Sequence, residues 1–342
     1  MSTPTTGSST EASPTPPPEE QAKHVPSGQA ALLRQVASSP AVVGLLAVLT
    51  ALILSSILIL AADSEVRYTA TYLLNRPGDF LHATASTLSE AYSSLLRGAV
   101  FDWRATTGVR MIRPITDTLT NATPLIIAGL GMAVAFRAGL FNIGGQGQMI
   151  LGAITACYVG IAWNLPPVAH LLLAVVGAAL GGLVWGGIAG VLKARTGANE
   201  VIVTIMLNSI AAHLLSQVLS LKAFNGEGET GNRKSLTVAD TAQYPWLAGD
   251  SFRLHAGFLL ALLVAVAVWW LMERSRLGFQ LRATGLNADA ARTAGMSVPW
   301  VTSLVMMISG ALCGLAATAP VLGTQKSMDE SVVGTIGFDA IT

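Results

Sequence analysis

The chain has 342 residues, of which 52% are hydrophobic and only 11% charged, with a net charge of +1. A soluble domain carries about 25% charged residues, so a soluble globular protein is excluded, and so even a balance excludes nucleic acid as a partner. Two cysteines, Cys157 and Cys313, each inside an apolar run, exclude a disulfide scaffold and any metal-binding cysteine spacing.

Residues 1–40 are rich in Thr, Ser, Pro and Glu, with a Pro16-Pro17-Pro18 run. Such a segment buries too little apolar surface to offset its ordering entropy, and a disordered cytoplasmic tail is expected. Residues 41–342 then form an all-α, polytopic membrane bundle of at least seven spans. The first run, Ala41–Ala62, holds no charge. It exceeds a signal-peptide core of about 7–15 residues and reads as an uncleaved spanning helix. A polar stretch, Asp63–Asp117, follows.

Next come two apolar runs, Ala122–Phe136 and Met149–Trp163. A full crossing takes about 20 residues, so both are expected to be short. Between them lies Phe141-Asn142-Ile143-Gly144-Gly145-Gln146-Gly147-Gln148-Met149, with three side-chain amides, three glycines and no charge. Backbone that leaves helical geometry at membrane depth is tolerated only inside protein or beside a wet cavity. Short, Gly-interrupted segments also point to a transporter's site. Asn142, Gln146 and Gln148 are therefore candidate path residues; a tight polar turn at the membrane surface is the other reading that residue type leaves open.

The run Val168–Leu192 holds Gly177, Gly181, Gly182, Gly186, Gly187 and Gly190. Small residues four apart let helix backbones approach closely in lipid, so this helix is expected to be buried among others. In Val201–Leu221 and its approach, Glu200, Thr204 and Asn208 recur at i, i+4, i+8 and share one face. Ser209, His213, Ser216 and Gln217 lie broadly opposite, nearer the far end; for His213 a hydrogen bond to a neighbouring helix is expected. A second polar stretch, Lys222–His255, precedes the span Ala256–Met272.

The loop Glu273–Val298 contains a short helix with its own punctuation. Asn287 suits the N-cap, Asp289 complements the helix dipole, and Gly295 suits the left-handed C′ position. Ala290, Ala291 and Ala294 give it a smooth face for a groove. The last run is Pro299–Ala319. Beyond it, Gly334 to Ile341 reads as the approach to another span, so the reading frame is expected to continue past Thr342. Lys193 and Arg195, and Arg274, Arg276, Arg282 and Arg292, favour the inside for the two short connections. The N-terminus and Glu273–Val298 are then cytoplasmic and Lys222–His255 is outside.

Three stretches together resemble one family. They are Pro124-Leu125-Ile126-Ile127 through Phe136-Arg137-Ala138-Gly139-Leu140-Phe141-Asn142-Ile143-Gly144 to Gly147-Gln148; Gly197-Ala198-Asn199-Glu200 through Asn208; and Arg282-Ala283-Thr284-Gly285-Leu286-Asn287-Ala288-Asp289-Ala290-Ala291 to Ala294-Gly295-Met296. The chain resembles the inner-membrane permease subunits of bacterial ABC importers, in the branch of branched-chain amino acid, ribose and nucleoside permeases, most closely the simple-sugar and nucleoside members. Two positions depart from that pattern: Gln146 stands where an acidic residue is common, and Ala288 where proline is common.

The resemblance implies a translocation path lined by Asn142, Gln146, Gln148, Glu200, Thr204 and Asn208. It implies a coupling helix for an ATPase subunit, carried by Arg282, Gly285, Asn287, Ala290, Ala291 and Gly295. Expected partners are a second permease subunit, identical or paralogous, two ATP-binding subunits holding ATP-Mg, an extracytoplasmic substrate-binding lipoprotein, and the lipid bilayer. No cofactor is expected in this chain. It carries no P-loop, and Gly226 to Gly231 matches a dinucleotide fingerprint only as a string, following a span rather than a strand. Amides donate and accept, which suits a neutral, hydroxyl-rich solute; the resemblance implies a nucleoside first and a simple sugar second. The rival is an ion-gradient-driven secondary transporter, which would bury an Asp or Glu relay; the seven runs hold none.

Overall fold

The computed structural model describes residues 39–225 and 233–342. The N-terminal tail to residue 38 and the Gly226–Gly231 string lie outside the described residues. The chain divides into two compact units, up to Ser93 and from Ser94 onward.

In the first unit, α1 (Pro40–Ala62) carries no charge and stops at Asp63. There the Asp63 carboxylate accepts from the Val66 amide at 2.9 Å and starts α2 (Ser64–Ala70). Helix α3 (Pro77–Ala99) begins in this unit and enters the next. The Tyr92 hydroxyl donates to the Leu52 carbonyl at 2.9 Å and pairs with Ser56 at 2.6 Å, tying α3 to α1.

The second unit continues with α4 (Gly108–Arg137), α5 (Gly145–Ala162), α6 (Pro167–Thr196), α7 (Glu200–Leu219) and the single turn α8 (Lys222–Asn225). Then come α9 (Gly257–Arg274), α10 (Arg276–Leu286), α11 (Ala288–Thr293), α12 (Val298–Ala316) with a π-type turn over Ala319–Thr324, and the short α13 (Ile336–Asp339). Among the described residues there is no strand, and six helices are long and apolar enough to cross a membrane. Helix α5 adds a seventh apolar segment that starts at the amide-rich break.

Two expectations are corrected. The run Ala122–Phe136 is not a short segment but the second half of a 30-residue helix, about 45 Å long. Its first half is helical although polar, and its side chains bond within the helix. Arg113 pairs with Asp117 at 3.6 Å, and the Thr116 and Thr120 hydroxyls donate to the carbonyls of Arg113 and Thr116, both at 2.8 Å. Asp117 consequently lies within a spanning helix, where the sequence placed no acidic residue.

Helix α6 is not buried all round, since Val168, Leu172, Leu180 and Val184 are exposed, but its glycine face is packed. A Cβ added to Gly182 would lie 2.7 Å from the Gly314 Cα, and one added to Gly186 would lie 3.0 Å from the Gly310 Cα. Helices α6 and α12 therefore meet backbone to backbone, which in lipid is where packing energy comes from. Gly190 opposes Ser303 near the start of α12, so the ends of α6 and α4 and the 275–297 loop share one end of this unit. At the other end, the Ala239 amide donates to the Gly160 carbonyl, and the Tyr244 hydroxyl donates to Thr318, both at 2.9 Å.

Candidate functional site

Helix α4 ends in a Schellman motif. The Gly139 amide donates to Phe136 O and the Leu140 amide to Ala135 O, both at 3.0 Å, with Gly139 left-handed at φ 73°. From there a strap of non-helical backbone, Ala138–Gly144, runs back into the bundle and delivers the N-terminus of α5 beside Asn208 and Ser309. Those residues lie about 12 Å along α7 and about 16 Å along α12 from the helix starts. The strap thus reaches the middle of the bundle and is not a surface turn.

Polar side chains replace the ladder that the strap lacks. Asn142 Nδ2 donates to Gln148 Oε1 at 3.0 Å and to Ser309 Oγ at 2.8 Å. Asn142 Oδ1 accepts from the Gly144 amide at 2.9 Å and from Gln148 Nε2 at 3.1 Å. Asn208 clips the strap from α7: its Nδ2 donates to Ile143 O and its Oδ1 accepts from the Gly147 amide, both at 2.8 Å. That second bond satisfies one of the orphan donors of the α5 N-terminus.

Beside this clip is a cavity of about 600 Å³ lined by Gln146, Ile150, Asn208, Ser209, Ala212, His213, Leu215, Ser216, Arg233, Glu330 and Phe338. Gln146 lines it, donating to Gly334 O at 2.7 Å and accepting from the Gly337 amide at 3.1 Å. Arg233 donates to Ser216 Oγ at 2.6 Å and pairs with Glu330 at 2.9 Å. The Arg233 guanidinium holds the Glu330 carboxyl below its ordinary range. The two charges on the cavity wall therefore neutralise each other.

Of the six path candidates, Gln146 and Asn208 reach the cavity. Asn142 and Gln148 are buried and spend their amides on the strap. Thr204 is buried against Gly144 and donates to Glu200 O at 2.7 Å. Glu200 forms an ion pair with Lys193 at 2.6 Å, at the opposite end of α7 from Ser216. The face of α7 that meets the cavity is the Ser209, His213 and Ser216 face. Its i, i+4, i+7 spacing was readable as a second polar stripe; Arg233, Glu330 and Phe338 come from distant segments and gave no such signal.

In the 275–297 loop, Asn287 caps α11 by accepting from the Asp289 and Ala290 amides, both at 3.0 Å. Gly295 is left-handed at φ 83°. The expected alanine face is split, because Ala291 is 3% exposed and turned into this chain, whereas Ala290 and Ala294 are open. Arg282 is held by Glu273 at 2.9 Å, and Gly285 packs on the end of α4. These two residues make contacts within the chain.

The family described as branched-chain amino acid transport system / permease component matches residues 115–342. The guanosine ABC transporter permease protein NupP of Bacillus subtilis (strain 168) is 41% identical over 230 residues, covering 66% of this chain and 65% of that protein. The glucose ABC transporter permease protein TsgB13 of Haloferax volcanii is 38% identical over 237 residues, covering 66% and 62%. The nucleoside ABC transporter permease protein NupB of Lactococcus lactis subsp. cremoris is 32% identical over 233 residues, covering 66% and 64%. The chain spans slightly under two thirds of the length of these relatives. No solved structure matches it.

Proposed function

This chain belongs to the branched-chain amino acid transport system / permease component family, and from that premise we propose that it is the membrane-spanning permease subunit of an ATP-driven importer. It forms the path for a neutral, hydroxyl-rich solute, a nucleoside first and a simple sugar second. It does no chemistry itself. ATP-Mg binds two separate ATPase subunits, which dock on the 275–297 loop. A second permease subunit, identical or paralogous, completes the path, and an extracytoplasmic lipoprotein delivers the solute.

One observation carries the solute reading: a cavity of about 600 Å³ beside a broken helix whose two charges, Arg233 and Glu330, are paired with each other. A phosphate or carboxylate ligand calls for an uncommitted Arg or Lys. Hydroxyls and base edges call for groups that donate and accept, and Ser209, His213 and Ser216 are such groups. The guanosine, nucleoside and glucose permeases similar to this chain support the order of preference. The test is uptake of labelled guanosine by cells carrying the complete system, with glucose, ribose and leucine as competitors. Competition by guanosine and other nucleosides is expected; competition by leucine alone would overturn the reading.

A further inference from the structure

The cytoplasmic loop and the cavity are joined by a short piece of backbone, and the joint at its head is built from contacts within this chain. Gly285, at the end of α10, lies against the end of α4. A Cβ there would sit 2.6 Å from the Ala138 carbonyl carbon and 2.7 Å from Arg137 O. Reciprocally, a Cβ on Gly139 would sit 3.1 Å from the Gly285 Cα. Only two glycines allow this approach, and Gly139 must also adopt its left-handed φ of 73°. The Glu273 carboxylate braces the same corner: Oε1 accepts from Arg137 Nη1 at 2.8 Å and Oε2 from Arg282 Nη1 at 2.9 Å. One side chain at the end of α9 therefore ties α4 to α10.

Six residues after Gly139 the chain is already in α5. Six residues span at most about 20 Å, so the strap has little slack. Its far end is gripped by Asn208 and Ser309. The next residue but one, Gln146, lines the cavity and holds Gly334 and Gly337. A shift of α10 passes by contact to Ala138 and Gly139, and from there a few residues of chain lead to the cavity wall.

We propose that Gly285 and Glu273 are positioning residues that clamp α10 to the head of the strap Ala138–Gly144, so that movement of the cytoplasmic loop is delivered to the N-terminus of α5 and to the Gln146–Gly337 contact. This rests on the transport reading above and adds how the loop acts on the cavity. Because Glu273 belongs to α9 and lies outside the 275–297 loop, loss of its carboxylate separates ATP hydrolysis from cavity movement without removing the surface on which an ATPase docks.

The experiment uses the complete transporter, with its ATPase subunits, in proteoliposomes. It reads ATP hydrolysis, guanosine uptake, and labelling of an Ala212→Cys thiol on the cavity wall by a membrane-impermeant maleimide with and without ATP. Glu273→Gln is expected to keep hydrolysis within about twofold and to lower uptake at least tenfold by unbracing the joint; Gly285→Val is expected to lower uptake at least tenfold by overpacking it. Both should erase the ATP-dependent change in labelling. Glu273 is exposed, so its variant folds even if Gly285→Val does not. Joining Arg137→Cys to Glu273→Cys with a short bifunctional thiol reagent should restore at least half of the uptake that the unlinked pair loses. ATP-dependent labelling that survives both Gly285→Val and Glu273→Gln would overturn the clamp whatever the solute is. So would a linked pair that is inactive when the unlinked pair is active. Labelling that never responds to ATP in the unmodified transporter would overturn the transport reading, and the clamp with it.

Discussion

Asn142 uses both amide protons and both sides of its carbonyl oxygen within the bundle, and it is fully buried. Replacing it with leucine would strand Gln148, Ser309 and the Gly144 amide, each at about 1–3 kcal/mol. Asn142→Leu is therefore expected to lower the melting temperature in detergent sharply, whereas Ser209→Ala, on the open face of α7, should leave it unchanged; scanning fluorimetry of both reads the difference. His255 makes a second residue-scale prediction. Its ring is 1% exposed, stacks on Tyr244 at 5.4 Å, and accepts from the Gly257 amide at 3.2 Å. Burial pushes its pKa down to about 4, so the folded state holds the neutral ring. Between pH about 6.5 and about 4 the unfolded chain binds the extra proton, and stability falls as pH falls. The loss is on the order of 3 kcal/mol across that window. His255→Asn keeps an acceptor for the Gly257 amide and should flatten the acid side of a melting-temperature profile.

Among the helices, α6 shows that spacing alone does not say which glycine matters. A Cβ on Gly177 would meet Val159 Cγ2 at 3.4 Å, an ordinary contact, whereas on Gly182 it would press into the Gly314 backbone. Gly177→Ala should express and melt like the unmodified protein; Gly182→Ala should lose folded yield in size-exclusion chromatography, since overpacking costs about 1–3 kcal/mol. The short helix α11 divides likewise. A tryptophan at Ala290, which is open, should uncouple hydrolysis from uptake with the melting temperature retained; at the buried Ala291 it should lower the melting temperature itself. Much of this level was readable in the sequence: the glycine-rich helix, the Asn287 cap and Gly295, and the break itself. What was not readable depended on partners far along the chain. Asn142 and Gln148 looked like path residues because nothing local shows that Ser309, 167 residues away, completes a closed set of bonds. The polar first half of α4 looked like a loop because its polar side chains, such as Arg113 and Asp117, bond within the helix without making it apolar. Ala291 looked like part of one face because spacing gives an angle but not the neighbour that fills it.

For the whole molecule, the sidedness expected from the short basic connections has a direct test. The second unit puts the end of α4, the α6–α7 link and the 275–297 loop at one end, and residues 233–256 at the other. Single cysteines at Arg276 and Asp250 should label from opposite sides of the membrane in intact cells and inverted vesicles, and labelling from the same side would overturn the orientation. The clip between α7 and the strap also has a consequence for how the protein is made. Synthesis runs from the N-terminus, so Ile143 leaves the ribosome 65 residues before the Asn208 that holds it, and Asn142 leaves 167 residues before Ser309. During that interval the hairpin of α4 and α5 carries amides and open carbonyls that lipid cannot satisfy. The pair must stay hydrated or sheltered at the site of insertion until α7, and finally α12, arrives. Release of this hairpin into the bilayer is thus timed by the later helices rather than by its own hydrophobicity.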